Sequence, residues 1–371
     1  MLEQTRTKKC RPDERSDIGY GRRCATGISL PSCGLRSQAR CEMKRARLFA
    51  IAAAVAIGIA GLGQPAKAQD KVGLRLDWVF GTEHSGVWVA QEKGFFKDEN
   101  LDVRILPGEG SSVTVKLVGT GDVDFGYATA DQAMLAYSRA LPVVTTAVIL
   151  QSSPTAIVFP KSTGIKKLTD LYGKRLGLQL KSAVERQWRV VAKINHIDTS
   201  KITEVPADLA VAQLIIAERI DAGVAFFFND GIRPIAEGID MDWILFRDVG
   251  LPMYSSSLIV NAATIEKKPD LVARFTRAFV RGWEYAKAHP DEAFALTIKA
   301  QPTLDNKYNK LKLPAVLGLL DSADAQKNGI GHSDRVGWES LQKALIEVDL
   351  LKEPVDLDKV YTNKFLPQPK S

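Results

Sequence analysis

Hydrophobic and polar residues alternate in several short stretches of the chain. Between residues 71 and 78 the hydrophobic side chains fall on every second position, at Val72, Leu74, Leu76 and Trp78. A period of two is typical of a β-strand. Alternation, or a short hydrophobic run between turn residues, predicts further strands at 101–106, 123–127, 143–150, 156–159, 175–180, 223–228 and 258–260.

Segments with hydrophobic residues at steps of three and four separate these strands. The clearest runs from Pro269 to His289, where a single stripe is predicted to face the core; it consists of Val272, Phe275, Phe279 and Trp283. Further helices are predicted at 84–93, 111–118, 131–139, 183–194 and 209–219. Short strands that alternate with helices predict an α/β fold with mostly parallel sheets, followed by a helical section after about residue 265.

Residues 43–68 have the three parts of a secretory signal peptide. A basic start at Met43 precedes the hydrophobic run LFAIAAAVAIGIAGLG, and Ala66-Lys67-Ala68 forms a small-x-small cleavage site. The run is short for a membrane anchor of about 20 residues. We therefore expect cleavage after Ala68 and export to the periplasm. Because a signal peptide begins a chain, residues 1–42 are predicted to be an upstream over-extension without a fold.

Removal of the first 68 residues changes the charge and the thiol content. The whole chain has a net charge of +7, but residues 1–68 contain thirteen Lys and Arg and five Asp and Glu. The remainder has 37 basic and 38 acidic residues, a net charge of −1. All four cysteines lie in the removed part, at Cys10, Cys24, Cys33 and Cys41. A near-neutral chain without basic clusters lacks the electrostatic signature of a nucleic-acid-binding protein.

Few patterns indicate catalysis. The four histidines are scattered, and neither G-x-S-x-G nor a P-loop occurs. The cysteines lack the paired spacing of a zinc site. The segment Gly108–Ser111 resembles a phosphate loop only loosely, and is better interpreted as a turn before a helix whose N-terminus, at Ser111, faces a polar ligand. We predict no catalytic residue, no metal and no cofactor.

In α/β folds, ligands gather where strands end and helices begin. At several such positions an aromatic ring lies beside a carboxylate, an amide or a histidine, a combination that suits a planar polar heterocycle. The predicted stacking residues are Trp78, Tyr127, Trp188 and Phe227. The predicted hydrogen-bonding residues are Asp77, His84, Asp131, Glu185 and Asn229, and Ser111 and Tyr254 complete the set. Two alternatives stay open: each aromatic residue could belong to the core, and Asp77 could pair with Arg75.

Several segments resemble the NMT1/THI5-like family, the thiamine-pyrimidine-precursor binding proteins of bacterial ABC importers. They are LDWVFGTEHSGVWVAQEKGFFKDENLDVRIL from Leu76, GTGDVDFGYATADQ from Gly119, ERIDAG from Glu218 and PDLVARFTRAFVRGWEYAKAHPDEA from Pro269. The resemblance implies a type II periplasmic binding protein, in which two lobes with mixed sheets are joined by two crossing strands. The crossings are expected near 155–160 and 255–261. The first lobe then comprises 69–157 and a helical part at 258–371, and the second lobe comprises 158–257.

The same resemblance supplies an enzyme as an alternative. Fungal thiamine-pyrimidine synthases share the fold and use pyridoxal phosphate, a lysine, a donor histidine and a cysteine-rich iron motif. The positions that look equivalent to the lysine and the histidine are Ala128 and Gln132, and the cysteine motif is replaced by residues 253–257, MYSSS. Without an amine for a Schiff base or thiolates for iron, the enzyme is disfavoured.

The resulting hypothesis is a monomeric, exported solute receptor that closes on its ligand and delivers it to an ABC permease in the inner membrane. The preferred ligand is a thiamine pyrimidine precursor or a similar heterocycle. Wider relatives bind sulfonates, taurine, nitrate or flavins, and Arg186 with Ser111 and Ser112 keeps an oxyanion ligand open.

Overall fold

The computed structural model describes residues 68–180, 182–208 and 210–368. The predicted over-extension at 1–42 and the predicted signal peptide, apart from Ala68, lie outside the described residues.

The first sheet gathers strands from both ends of the described chain. Its strands are β1 (Asp70–Arg75), β2 (Leu101–Leu106), β3 (Phe125–Thr129), β4 (Val143–Val148) and β10 (Ser256–Asn261). The spatial order is β2-β1-β3-β10-β4. Strand β1 pairs in parallel with β2 and β3, whereas β10 is antiparallel to β3 and β4. We call the part of the chain built on this sheet lobe 1.

The second sheet repeats the arrangement with the intervening part of the chain, which we call lobe 2. Its strands are β5 (Thr155–Pro160), β6 (Arg175–Leu178), β7 (Thr203–Pro206), β8 (Ala222–Phe226) and β9 (Met241–Leu245). The order is β7-β6-β8-β5-β9, and β5 is the antiparallel strand. Each sheet is therefore parallel except for the strand that the chain forms directly after it changes lobes.

Two segments connect the lobes. The chain leaves the first sheet after Val148 and enters the second at Thr155, then leaves the second after Leu245 and returns at Ser256. The segments expected to cross, near 155–160 and 255–261, are the strands β5 and β10 themselves. The connecting segments, residues 149–154 and 246–255, precede these strands because each antiparallel strand begins as soon as the chain reaches its sheet.

The described residues form fourteen α-helices. In lobe 1 they begin with α1 (Ser85–Glu92), α2 (Phe95–Asp98), α3 (Ser111–Thr120) and α4 (Ala130–Ser138). Lobe 2 contains α5 (Ala183–Ile194), α6 (Val211–Ile216) and α7 (Ile232–Ala236). The last part of the chain forms α8 (Ala262–Lys267), α9 (Pro269–Ala288), α10 (Pro290–Ala300), α11 (Asn306–Leu317), α12 (Ala323–Asn328), α13 (Arg335–Glu347) and α14 (Leu357–Val360). In the described part of the chain, no helix combines the length and the hydrophobicity that crossing a membrane requires.

Helix α9 packs its predicted stripe into the core of lobe 1. Val272, Phe275, Phe279 and Trp283 are all fully buried. The helix crosses α1 at close range: a Cβ atom on Gly86 would lie 2.2 Å from the Trp283 ring, and one on Gly282 would lie 2.1 Å from the Gly86 carbonyl oxygen. Only glycine fits at this crossing, which fixes α1 and the turn that precedes it.

Candidate functional site

A cleft of about 630 Å³ lies between the two lobes. Lobe 1 contributes Asp77, Trp78, Phe80, Ser111, Tyr127 and Ser256 to its walls. Lobe 2 contributes Gln179, Arg186, Phe226, Phe228, Asn229 and Asp230. A third wall comes from the helical section, through Tyr308, Asn309 and Lys312 of α11. Hydrophobic rings and buried polar groups therefore face the same space.

The carboxylate of Asp77, just beyond β1, is held by a buried histidine. His84 ends a 3₁₀ turn, Thr82–His84, and is fully buried, with its Nε2 2.9 Å from Asp77 Oδ1. Because an ionised carboxylate only accepts hydrogen bonds, Nε2 is the donor. The Ser256 hydroxyl donates to the other oxygen at 3.4 Å. The alternative pair of Asp77 with Arg75 is wrong, since Arg75 contacts Glu109 at 3.2 Å.

Tyr127 forms the floor of the cleft beside Asp77. It ranks among the largest fully buried side chains, and its ring meets the His84 ring edge-on at 5.7 Å and lies near-parallel to Trp283 at 6.0 Å. Burial, together with the nearby charge of Asp77, raises the pKa of the Tyr127 hydroxyl well above its ordinary value. The hydroxyl therefore stays protonated and can act as a neutral hydrogen-bonding group.

The loop at 107–110 holds the backbone of Asp77 and Trp78 in place through two hydrogen bonds. The Gly108 amide donates to the Trp78 carbonyl at 2.8 Å, and the Gly110 amide donates to the Asp77 carbonyl at 2.7 Å. A Cβ atom on Gly108 would lie 2.1 Å from the Leu76 carbonyl oxygen, so the close approach requires glycine. Helix α3 follows, and Ser111 Oγ accepts a hydrogen bond from the Thr129 amide at 3.1 Å while the residue lines the cleft.

In lobe 2, a π-helical turn follows β8. It spans Phe227–Gly231, a type of turn that is often found at functional sites. Phe228 and Asn229 line the cleft together with Phe226, the last residue of β8. Phe227 points the other way and packs on Trp243, with ring centroids 5.0 Å apart.

Helix α11 touches both lobes at the cleft. Toward lobe 1, Lys312 Nζ lies 2.6 Å from Glu83 Oε2, and Asn309 Oδ1 accepts a hydrogen bond from the Thr82 hydroxyl at 3.0 Å. Toward lobe 2, the Tyr308 hydroxyl donates to Asn229 Oδ1 at 3.3 Å. Sequence reasoning missed this wall, because nothing in the local pattern of the helical section shows which helix covers the cleft.

Two carboxylates of the cleft, the buried Glu83 and the half-buried Asp230, have shifted pKa values. Burial acts to raise the pKa of Glu83, but the charges of Lys312 and His84 and the Lys312 hydrogen bond outweigh it, and the pKa is lowered. For Asp230, burial dominates and raises the pKa to about 6. The Ala212 amide donates to Asp230 Oδ1 at 3.0 Å and Lys312 adds a favourable charge, which limits the rise.

The structure brings part of the predicted set together. Asp77, Trp78, Ser111, Tyr127 and Asn229 line the cleft. His84 lies behind Asp77 and does not line it. Contact of these residues with a ligand stays a prediction.

The other predicted residues lie away from the cleft lining. Trp188 is fully buried in the core of lobe 2, where its Nε1 donates to Glu204 at 3.3 Å. Glu185, one turn earlier on α5, pairs with Arg189 at 3.1 Å instead of facing the cleft.

Asp131 and Tyr254 do not line the cleft, and neither does Phe227, which packs on Trp243. The buried carboxylate of Asp131 accepts a hydrogen bond from Gln132, the residue that lines the cleft in its place. Tyr254 lies in the second connecting segment and donates to Asp334 at 3.0 Å, at the start of α13.

The chemistry of a pyridoxal-phosphate enzyme does not fit these residues. Ala128, at the position that looks equivalent to the lysine, is fully buried in β3, and Gln132 replaces the histidine. Lys312, which does line the cleft, has its ammonium group paired with Glu83. Within the described ranges, no three His, Cys, Asp or Glu residues are placed to hold a metal ion.

Two mixed α/β sheets, joined by two connecting segments with a cleft between them, define the type II periplasmic binding protein fold. In agreement, the chain resembles the crystal structure of the periplasmic aliphatic sulphonate binding protein SsuA from Escherichia coli, with a TM-score of 0.60 at 12% identity over 79% of this chain and 92% of that one. Residues 81–293 match the family model described as NMT1/THI5 like. The chain therefore belongs to the NMT1/THI5-like family.

Two of the curated relatives have names that describe different kinds of protein. A 4-amino-5-hydroxymethyl-2-methylpyrimidine phosphate synthase of Legionella pneumophila is 27% identical over 309 residues, covering 81% of this chain and 93% of that protein. A formylaminopyrimidine-binding protein of Halalkalibacterium halodurans is 24% identical over 300 residues, covering 80% and 91%. Both names contain a pyrimidine, but one protein is a synthase and the other a binding protein.

Proposed function

We propose that the protein is an exported solute receptor of an ABC importer, which binds a small planar heterocycle between its lobes. The observation that carries this proposal is the interlobe cleft, in which Asp77, held by His84, faces aromatic rings from both lobes and from α11. Because the ligand contacts both lobes, it shifts the equilibrium between the open and closed forms toward the closed form. The permease then recognises the closed form. Export and periplasmic action follow from the predicted signal peptide.

A planar heterocycle suits the polar and apolar groups of the cleft. Trp78, Phe80, Phe226, Phe228 and Tyr308 offer ring faces or edges. Asp77 accepts hydrogen bonds from ligand N–H groups, and the neutral Tyr127 hydroxyl adds a donor or acceptor. The pyrimidine in the names of the Legionella and Halalkalibacterium relatives supports a thiamine pyrimidine precursor as the first ligand to test.

A receptor is favoured over a synthase by the residues that would carry the chemistry. Ala128 cannot form a Schiff base, and Gln132 lacks the imidazole of the donor histidine. These two residues therefore favour a receptor over the synthase activity that the name of the Legionella relative describes.

An oxyanion is the second candidate ligand class, because Arg186 and Arg233 line the cleft. Arg233 pairs with Asp305 at 2.6 Å. Carboxylates without a lysine or arginine partner in the described residues also line the cleft, at Asp77 and Asp230, and these repel an anion. The heterocycle is therefore preferred.

Calorimetric titration of the purified protein tests the proposal. The ligands are hydroxymethylpyrimidine, its formylamino analogue, riboflavin, taurine and nitrate. We expect the wild type to bind a pyrimidine. Asp77→Asn should weaken this binding at least about tenfold, because a charge-assisted hydrogen bond is lost. Asp102→Asn, the same change at an exposed position of β2, is the matched control and should bind as the wild type does. If the protein binds only taurine or nitrate, the proposal of a heterocyclic ligand is wrong.

A further inference from the structure

Helix α11 is bound to lobe 1 by buried contacts. The Lys312 ammonium group lies 2.6 Å from Glu83 Oε2, and the two side chains are only 4% and 10% exposed. Asn309 Oδ1 accepts hydrogen bonds from the Thr82 hydroxyl at 3.0 Å and from the Thr82 amide at 3.4 Å. Separating a buried ion pair is costly, because it leaves uncompensated charges away from water. Helix α11 therefore moves together with lobe 1.

The contacts of the same helix with lobe 2 lie at its N-terminal end and are more exposed. Arg233 of α7 donates to Asp305, the N-cap residue of α11, at 2.6 Å, and these side chains are 35% and 46% exposed. The Arg233 guanidinium group also lies 4.8 Å from the centroid of the Tyr308 ring. The Tyr308 hydroxyl donates to Asn229 at 3.3 Å. We call the Arg233–Asp305 and Tyr308–Asn229 contacts the latch.

The latch lies at the end of α11 that is far from the connecting segments. Leu319, two residues beyond the C-terminal end of α11, accepts a hydrogen bond at 2.9 Å from the amide of Gln151 in the first connecting segment. A helix of twelve residues is about 18 Å long. A rotation about the connecting segments moves distant points most. Opening of the cleft therefore separates the latch, while the buried contacts of α11 with lobe 1 remain.

Resting on the proposed function, we infer that the latch holds the two lobes in the closed form, with or without ligand, and slows the release of the ligand. The latch joins lobe 2 to α11 directly and does not require the ligand as a bridge. A contact that exists only in the closed form raises the fraction of closed molecules, and the apparent affinity increases with that fraction. Arg233 is then a positioning residue for closure and not a group that binds an anion.

Asp305→Ser breaks the latch without changing the lining of the cleft, because Asp305 is not part of that lining. Asp305 Oδ1 also caps α11 by accepting from the Tyr308 amide at 3.1 Å. Serine keeps this cap but is too short to reach Arg233. Asp98→Ser is the matched control, because it removes an Arg–Asp pair whose members, Asp98 and Arg281, both belong to lobe 1.

Small-angle X-ray scattering of the ligand-free proteins measures how far the lobes are open. Asp305→Ser should have a larger radius of gyration than the wild type, and Asp98→Ser should have the wild-type radius. Thermal unfolding checks that each variant is folded. If the radius of Asp305→Ser is unchanged or smaller, the latch is overturned, and the receptor is not affected by this result.

Stopped-flow dissociation of hydroxymethylpyrimidine, followed by tryptophan fluorescence, measures the release of a ligand. Asp305→Ser and Arg233→Gln should each release it about two- to fivefold faster, the effect expected for a half-exposed ion pair. The double variant should be no faster than either single variant, because both changes break the same contact. Wild-type release by Asp305→Ser, or additive effects of the two changes, would overturn the latch. If the wild type binds no heterocycle, the proposed function fails, and scattering alone decides on the latch.

Discussion

His84 Nε2 and Asp77 Oδ1 lie 2.9 Å apart, and the histidine is buried while the carboxylate faces the cleft. His84 is thus a positioning residue that fixes the orientation of the Asp77 carboxylate, the group expected to form a hydrogen bond with the ligand. His84→Phe should weaken ligand binding about tenfold or more, because it removes a charge-assisted hydrogen bond. His84→Gln, whose amide can still donate, should restore part of the affinity in calorimetric titration. Equal affinities for these two variants would contradict the positioning role.

Tryptophan fluorescence should report occupancy of the cleft. Of the tryptophans, all of which lie in the described residues, only Trp78 lines the cleft. A stacked heterocycle should quench its emission, and Trp78→Phe should remove most of the quenching. Trp188→Phe is the control, since Trp188 is buried in lobe 2. Loss of quenching in the control, rather than in Trp78→Phe, would place the ligand elsewhere.

The crossing of α1 and α9 should not tolerate a methyl group. Gly86→Ala places a Cβ atom 2.2 Å from Trp283, and we expect a loss of about 3 kcal/mol in the free energy of unfolding. Gly318→Ala is the matched control, because nothing lies within 4 Å of its added Cβ atom and its φ is −63°. That change should be neutral or slightly stabilising in denaturant titration. Similar stability of the two variants would contradict the close packing.

The stability of the unliganded protein should depend on Asp230. Its pKa rises from an ordinary value of 3.8 to about 6 on folding, so the folded state holds a proton that the unfolded state releases. The contribution to stability is therefore favourable at low pH and is lost as the pH rises through about 6, by about 1 to 3 kcal/mol.

Asp230→Asn removes this titration. The variant should match the wild type near pH 4 and exceed it in the free energy of unfolding at pH 7 to 8. Denaturant unfolding of both proteins across this range checks the difference, in which titrations common to both cancel. A difference that does not change with pH would show that Asp230 ionises normally.

Elements with a clear period could be predicted from the sequence. Strand β2 and helix α5 have the predicted bounds, and the buried stripe of α9 is confirmed. Strands β7 and β9 were missed. Both lie at sheet edges, where one side of a strand pairs with nothing and the alternation of hydrophobic residues is weak. Short edge strands leave little local signal.

The site could be predicted only where strand ends determine it. Asp77 and Asn229 follow strands, and such positions face the cleft in this fold. Trp188 lies on the hydrophobic face of α5, which packs into the core of lobe 2. Its aromatic character alone led to the wrong prediction that it lines the cleft. Lys312 is 229 residues from Glu83 in the chain, and only the packing of α11 brings them together.

Equilibrium dialysis with hydroxymethylpyrimidine, followed by mass analysis of the recovered ligand, tests the central claim most directly. A receptor should retain one ligand per chain and release it with unchanged mass, and Asp77→Asn should retain much less. A ligand recovered in altered form, or equal retention by the wild type and Asp77→Asn, would contradict the account.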